Sequence, residues 1–381
     1  MRLPKFSTNL LMLVSLIVIM LIGAGNLANL VLASENEFLE NGLALFFPLL
    51  INEDFNTPTP TATQTPVPTV TPTPTSTFEP PSDSIWVDKN SIALFEHIPE
   101  QYLTTAGNLH MLFADRSVGQ NINEGLDCLT ASSWSASPAS CRRDYYDNDW
   151  NWKTFTQADL DQGIVPEAIL FSPDPIRYSR SNWTYEFHMG TWSNLTQDFI
   201  QNMAPAYLND KDILSYQFSY LNVAEGDDII DPQTGFFTDN PNRYTVYDLE
   251  AFIAQHPDKV FIFWTTSLAR GIGTQVSTDF NNAMRQYAID NSKIMFDVAD
   301  ILSHRPDGTP CFDNRDGVPY CDMHGNCEDH PDDGLDLPAI CQEYTTETDG
   351  GHLGSVSAGK IRVAKAFWVL MAQIAGWDGS H

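Results

Sequence analysis

The stretch "MLFADRSVGQNINEGLDCL", residues 111–129, joins a short apolar run to a polar turn and then to a helical pattern. The apolar run is typical of a buried strand. Ser117 falls in the turn after that strand, ahead of Gly119 and the start of the helix. We therefore expect a serine hydroxyl at a strand end, beside backbone N–H groups that can hold an anion.

The same alternation of apolar runs and amphipathic segments continues along the chain. Strands are predicted at residues 109–114, 213–221, 259–268 and 293–301, and helices at 245–257, 277–292 and 358–376. This order predicts an α/β fold, a three-layer α/β/α sandwich with a mainly parallel sheet. Ligands bind such sheets at the carboxyl ends of the strands, so we expect the chemistry just after residues 114, 221 and 268.

The N-terminal part of the sequence predicts export. Residues 1–33 have a basic start, an apolar run and small residues before position 34, which is the plan of a signal peptide, with an uncleaved membrane anchor as the alternative. Residues 34–56 form a short segment, and residues 57–84 a disordered stalk in which Thr and Pro make up 16 of the 21 residues at 57–77. Residues 85–379 are predicted to form one domain.

The composition bears on partners and compartment. The chain carries 49 Asp and Glu against 20 Lys and Arg, a formal net charge of −29, which argues against nucleic acid and anionic membrane surfaces as partners. An even number of cysteines in an exported chain predicts disulfides. Cys128 and Cys141 are the natural local pair. The other four allow three pairings, which the sequence leaves open: Cys311, Cys321, Cys327 and Cys341.

A second polar motif precedes the last helix, in "TETDGGHLGS" at residues 346–355. A serine hydroxyl needs an imidazole as its base, and the imidazole needs a carboxylate to orient it. Asp349 and His352 supply both groups on one loop. The glycines between them give the backbone the freedom to bring the two side chains together. The sequence thus predicts a triad of Ser117, His352 and Asp349.

This arrangement resembles the SGNH (GDSL-type) esterase and lipase superfamily, over roughly residues 85–379. The segments "MLFADRSVGQNINEGLDCL", "IMFDVADILSHRPDG" and "KAFWVLMAQIAGWDG" are similar to those of exported bacterial SGNH-like proteins. The resemblance implies hydrolysis of esters, often acetyl groups on carbohydrates, without a metal or an organic cofactor. It also implies Ser117 as nucleophile, His352 as general base and Asp349 as its orienting partner.

This chain differs from the family pattern in two motifs. Residues 115–117 read Asp-Arg-Ser where the family has Gly-Asp-Ser, and no Gly-x-Asn-Asp follows the third predicted strand, where the family's asparagine helps to form the oxyanion hole. We expect substitute donors for the oxyanion among Gly119, Asn222 and Thr266.

Two other functions are compatible with the sequence. The domain could be an inactive SGNH-fold module that binds carbohydrate through the aromatic residues of "DYYDNDWNWKTF", residues 144–155. Alternatively, the acidic stretch at 311–341 could hold calcium in a structural domain, although its spacing matches no standard calcium loop. The main prediction is a secreted or surface-tethered esterase acting on an acylated carbohydrate or small ester.

Overall fold

The computed structural model describes residue 78 and residues 84–146, 152–271, 275–314, 320–321, 327–328, 331–332 and 334–380. They belong to one unit of the chain, Thr69–His381. The predicted signal peptide, the segment 34–56 and almost all of the predicted stalk lie outside the described residues.

Ten strands are described, six of them in one sheet. In chain order they are β1 Trp86–Val87, β2 Met111–Asp115, β3 Arg143–Tyr146, β4 Trp152–Thr154, β5 Trp183–Phe187, β6 Ile213–Tyr216, β7 Val260–Trp264, β8 Ile294–Phe296, β9 Tyr320–Cys321 and β10 Cys327–Glu328. The six-stranded sheet has the order β1-β8-β7-β6-β2-β5 and is parallel throughout. Two small antiparallel pairs, β3–β4 and β9–β10, stand apart from it.

Helices cover both faces of this sheet. In chain order the α-helices are α1 Glu100–Asn108, α2 Ser117–Leu129, α3 Gln157–Asp161, α4 Trp192–Asp198, α5 Ala204–Tyr207, α6 Val246–Gln255, α7 Gln275–Asp290, α8 Val298–Leu302 and α9 Ser357–Ile374. A π-helical turn, Phe199–Met203, joins α4 to α5. Short 3₁₀ segments lie at Ser91–His97, Ala139–Cys141, Glu167–Ile169, Tyr220–Asn222 and Gln342–Tyr344.

The two hydrophobic cores follow from the alternation of side chains along each strand. On β2, Met111 and Phe113 belong to the core beneath α2 and α9, whereas Leu112 and Ala114 belong to the core beneath α4, α6 and α7. By the same alternation Asp115 points toward α2. The predicted three-layer α/β/α fold is therefore confirmed.

The order of the strands places the predicted serine at a crevice in the sheet. The chain passes from β2 to β5 on one side of β2 and then to β6 on its other side. The connecting helices α2 and α4 consequently lie on opposite faces, which opens a crevice at the carboxyl ends of β2 and β6. Ser117 begins α2 at this crevice.

Most predicted elements occur, with shorter bounds. The runs at 213–221 and 259–268 are strands only as far as Tyr216 and Trp264, and the run at 293–301 contains β8 followed by α8. The strands β1 and β5 were not predicted. For β5 the signal was present, since Trp183, Tyr185 and Phe187 alternate with polar residues.

Two disulfides lie within the part of the chain that the structure describes. The predicted local pair Cys128–Cys141 is formed, and Cys311 is joined to Cys341. The backbones of Cys321 and Cys327 lie opposite each other in the β9–β10 register. Disulfides fit a protein that folds in an oxidising, extracellular setting. Across the part of the chain that the structure describes, no helix is long and apolar enough to cross a membrane.

The Cys128–Cys141 bond closes a loop of 13 residues at the end of α2. By the loop-entropy argument, replacing both cysteines by serine should lower the free energy of unfolding by roughly 3 kcal/mol. Denaturant titrations of the wild type and the double variant measure this loss. With a reducing agent the difference between the two proteins should vanish; a difference that persists would assign the loss to packing rather than to the cross-link.

Candidate active site

Ser117 and His352 meet at the carboxyl end of β2. The Ser117 Oγ lies 2.7 Å from the His352 Nε2, across 235 residues of sequence. Ser117 is the first residue of α2, so its hydroxyl stands at the start of the helix beside N–H groups that have no acceptor within the helix. The predicted serine and histidine are thus brought into hydrogen-bond contact.

The carboxylate that orients His352 is Glu347. Its Oε1 accepts a hydrogen bond from the His352 Nδ1 at 2.6 Å, and its Oε2 accepts from the His352 backbone N–H at 3.0 Å. With Nδ1 donating to the carboxylate, Nε2 is the ring nitrogen that can accept the serine proton. The Glu347 Oε1 therefore sets the orientation and the tautomer of the imidazole, while Oε2 holds the backbone of the same residue.

The prediction that Asp349 orients His352 is wrong. The Asp349 side chain is exposed, and its Oδ1 accepts from the Asn314 Nδ2 at 3.3 Å. The turn between the acid and the histidine explains the difference. A Cβ on Gly350 would clash with the Glu347 carboxylate, so the glycine lets Glu347 fold back beneath its own loop to His352. The sequence offered both acids within six residues of the histidine, and the chain fold selects the longer side chain.

The charge of Glu347 is stabilised by this arrangement. Burial alone would raise the pKa of the Glu347 carboxyl, but the hydrogen bonds from the side chain and backbone of His352 outweigh burial and lower the pKa below its usual range. Tyr220 closes the other side, with its hydroxyl 3.4 Å from the His352 Nδ1. Burial raises the pKa of Tyr220 to about 12, so its phenol stays neutral beside the pair.

The turn that presents Ser117 is held by the neighbouring strand β5. The Tyr185 hydroxyl donates to the backbone carbonyls of Asp115 and Arg116, at 3.1 and 2.7 Å. The backbone N–H of His188 donates to the same Asp115 carbonyl at 2.9 Å. Three hydrogen bonds thus fix the two residues directly before the serine.

Only one of the three predicted oxyanion donors faces the crevice. Gly119 is buried against the Asp115 side chain, and its N–H is directed at the Asp115 carboxylate. Thr266 is fully buried, and both its N–H and its hydroxyl donate to the Asn281 Oδ1. These two predictions are wrong because both donors already serve internal acceptors.

Asn222 is the donor that remains. It ends the 3₁₀ turn after β6 and lines a cavity together with Arg116, the residue before the serine. Its Oδ1 accepts from the Ser219 N–H, which leaves Nδ2 as the donor toward Gly190 at 2.9 Å. An amide nitrogen carries two hydrogens, and the bond to Gly190 uses one of them.

The remaining expectations concern metals and aromatic residues. Among the described residues, the possible metal-ligating cluster is Cys311, Cys341 and Glu343, whose two cysteines are joined in the disulfide. Of the acidic loop, Asp316 and Asp333 lie outside the described residues. So does Trp150 of the aromatic cluster.

The chain was compared with protein-family models, with curated proteins and with solved structures, and none of the three comparisons found a match.

Asp115 makes the stability of the fold depend on pH. Burial raises the pKa of its carboxyl from 3.8 to about 7, although the backbone N–H groups of Arg116 and Gly119 act in the opposite direction. A carboxyl whose pKa is raised by folding stabilises the fold fully below its unfolded pKa, and this stability is lost as the pH rises toward 7. At 1.36 kcal/mol per pKa unit, the loss between pH 4 and pH 8 is at most about 4 kcal/mol.

We expect Asp115→Asn to remove this loss. The variant should fall less in unfolding free energy than the wild type between pH 4 and pH 8, and should be the more stable protein at pH 8. Denaturant titrations at intervals across that range measure the effect. Asp279→Asn makes the same change at an exposed position on α7 and should follow the wild type. Parallel curves for wild type and Asp115→Asn would contradict the expectation.

Proposed function

We propose that this chain is an exported serine ester hydrolase of the SGNH type, acting through Ser117, His352 and Glu347. The observation that carries the proposal is the continuous pair of hydrogen bonds, 2.7 Å from Ser117 Oγ to His352 Nε2 and 2.6 Å from His352 Nδ1 to Glu347. A serine hydroxyl bonded to an oriented imidazole is the arrangement that nucleophilic acyl transfer needs.

In the proposed reaction, Ser117 Oγ attacks the ester carbonyl while His352 Nε2 takes the hydroxyl proton. The charged Glu347 stabilises the imidazolium that forms. The imidazolium then returns the proton to the departing alcohol, which leaves an acyl group on Ser117. A water molecule, deprotonated by His352, attacks the carbonyl of this acyl-enzyme. The bond to Ser117 Oγ then breaks, His352 returns the proton to that oxygen, and the carboxylic acid is released. The Asn222 amide and the N–H at the start of α2 are the donors we assign to the oxyanion.

A polar cavity lined in part by Arg116, the residue before the serine, supports a carbohydrate ester as the substrate. It measures about 780 Å³, within the range of about 300–1,000 Å³ for sites that hold small ligands. Its wall contains Trp192, Asp228 and Arg243 in one bonded group: the Trp192 Nε1 donates to Asp228 at 2.8 Å, and the Arg243 guanidinium pairs with the same carboxylate at 2.5 Å.

This lining favours a ligand that is rich in hydroxyl groups. The hydrogen bond from Trp192, and to a smaller extent the pairing with Arg243, lowers the pKa of Asp228. The carboxylate therefore stays charged, and the Arg243 guanidinium balances its charge. Amide and hydroxyl groups of other side chains line the same space, among them Gln197, Asn242 and Tyr244. A purely apolar group would leave these donors and acceptors without partners, which is costly. We assign the cavity to the sugar of an acylated, typically acetylated, carbohydrate.

The first test compares triad variants on p-nitrophenyl acetate and on an acetylated polysaccharide. Ser117→Ala and His352→Ala should each lower kcat by roughly 10³-fold or more. Glu347→Gln should lower it by roughly 10²- to 10⁴-fold, because the neutral amide no longer stabilises the imidazolium.

The matched control is Asp349→Asn, the same chemical change two residues further along the loop, which should leave kcat within about twofold of the wild type. A larger loss for Asp349→Asn than for Glu347→Gln would contradict the assignment of the acid. Equal rates for wild type, Ser117→Ala and His352→Ala would remove the esterase proposal and leave the carbohydrate-binding module as the better account of the cavity.

The second test concerns the cavity. Arg243→Leu should raise KM for an acetylated oligosaccharide by roughly 10-fold, as expected for the loss of a charged hydrogen-bonding group, while kcat/KM for p-nitrophenyl acetate, which has no sugar, stays within about twofold. Arg305→Leu is the control, since Arg305 is similarly exposed and also paired with a carboxylate, that of Glu343. An equal loss of kcat/KM on both substrates would show that the cavity does not recognise the sugar.

A further inference from the structure

We infer that Asn121 is a positioning residue that sets the distance between Ser117 and His352. The inference rests on the proposed function, and it concerns the connection between two elements that are distant in the sequence. Ser117 and Asn121 are four residues apart on α2, so their side chains lie on the same face of the helix, one turn apart.

Asn121 bonds the histidine loop directly to this helix. Its Oδ1 accepts a hydrogen bond from the backbone N–H of Leu353, the residue after His352, at 2.9 Å. Asn121 is 9% exposed and Leu353 is fully buried, so water cannot easily replace the amide oxygen. The serine and the histidine are therefore linked through Asn121 by one helical turn and one hydrogen bond.

A second contact holds the same loop one turn further along α2. The buried Lys360 of α9 donates from its Nζ to the Glu124 Oε2 at 3.0 Å and to the Gly354 carbonyl at 3.3 Å. Gly354 itself lies against the Asn121 amide, where a Cβ would be too close to its nitrogen. Leu353 is thus bonded directly to the helix that carries Ser117, and Gly354 is linked to the next turn of that helix through Lys360.

This geometry separates positioning from substrate binding. Without the Asn121 acceptor, the buried Leu353 N–H has no partner, which favours a shift of the loop toward another acceptor. A shift of about 1 Å between reacting groups is enough to lower a rate by roughly 10²-fold. The cavity, in contrast, is lined by Arg116 and by residues 190–194, 197, 221–222, 227–228 and 242–244, and Asn121 is not among these lining residues.

The experiment compares Asn121→Ala and Asn121→Asp in the whole domain, with acetylated oligosaccharide and p-nitrophenyl acetate as substrates. Asn121→Ala should lower kcat roughly 10-fold or more on both substrates and leave KM for the oligosaccharide within about twofold. Asn121→Asp keeps the acceptor oxygen and should recover most of the lost kcat, measured on the pH plateau. Asn123→Ala, the same truncation at a half-buried position two residues further along the helix, should leave both constants unchanged.

A second readout avoids the substrates. The rate at which a small phosphonate ester inactivates the enzyme reports how well His352 activates Ser117, and it should fall in parallel with kcat. If Asn121→Ala proves too unstable to assay, Asn121→Ser serves instead. Its hydroxyl can bond within the helix but is too short to reach Leu353.

The failure of this inference is distinguishable from failure of the proposed function. An Asn121→Ala protein with a lower melting temperature but wild-type kcat and inactivation rate would reduce Asn121 to a structural role, while an inactive Ser117→Ala would still support the esterase. No rescue by Asn121→Asp would also overturn the inference. Wild-type activity in Ser117→Ala would remove both proposals together.

Discussion

The pairing of β2 along both of its edges is the constraint on which the site depends. β2 pairs in parallel with β5 on one side and with β6 on the other, and all five of its residues are buried. A shift of one residue would move each side chain of β2 into the opposite core and would break the pairing on both edges, so both neighbouring strands specify its register. The start of α2, and Ser117 with it, is therefore fixed relative to the ends of both neighbouring strands.

The neighbours then supply what the serine lacks. Through Tyr185 and His188, β5 holds the carbonyls of the turn before Ser117. The segment after β6 supplies Tyr220 beside His352 and Asn222 at the cavity. The histidine loop comes from the other end of the chain. It is linked to this centre through α2 and α9, and also through the segment after β7, where the Arg270 and Gly271 N–H groups donate to the carbonyls of Gly350 and Asp349.

Much of the fold could be predicted from local patterns, and much of the site could not. The buried runs at β2, β6, β7 and β8 and the long apolar α9 are signals that depend on a few adjacent residues. β5 was missed because three of its five residues are only partly buried, so it lacks the continuous apolar run that marks the other strands.

The choice between Glu347 and Asp349 shows a different limit. Both acids precede the same histidine, and nothing in their spacing separates them. The decision is made by a turn in which Gly350 leaves room for a folded-back carboxylate. It is also made by Asn314, 35 residues upstream, whose Nδ2 donates to the Asp349 carboxylate. Likewise, Gly119 and Thr266 were plausible donors until the structure paired them with buried acceptors. Such competition between partners is a property of the packed fold.

Two carboxyl groups flank the nucleophile, and their environments drive their pKa values apart. Asp115 is buried, and burial raises its pKa to about 7 although the Arg116 and Gly119 N–H groups and the Arg116 charge oppose it, whereas Glu347 is bonded twice by His352 and its pKa is lowered. When the pKa of one acid in a site is raised and that of the other is lowered, one carboxyl is neutral and the other charged at the same pH, so the two can serve different roles. In the proposed reaction, a negative charge at Glu347 balances the imidazolium. A second one at Asp115, directly beneath the serine turn, would oppose the developing oxyanion. The burial that costs Asp115 its charge near neutral pH therefore reduces that opposition.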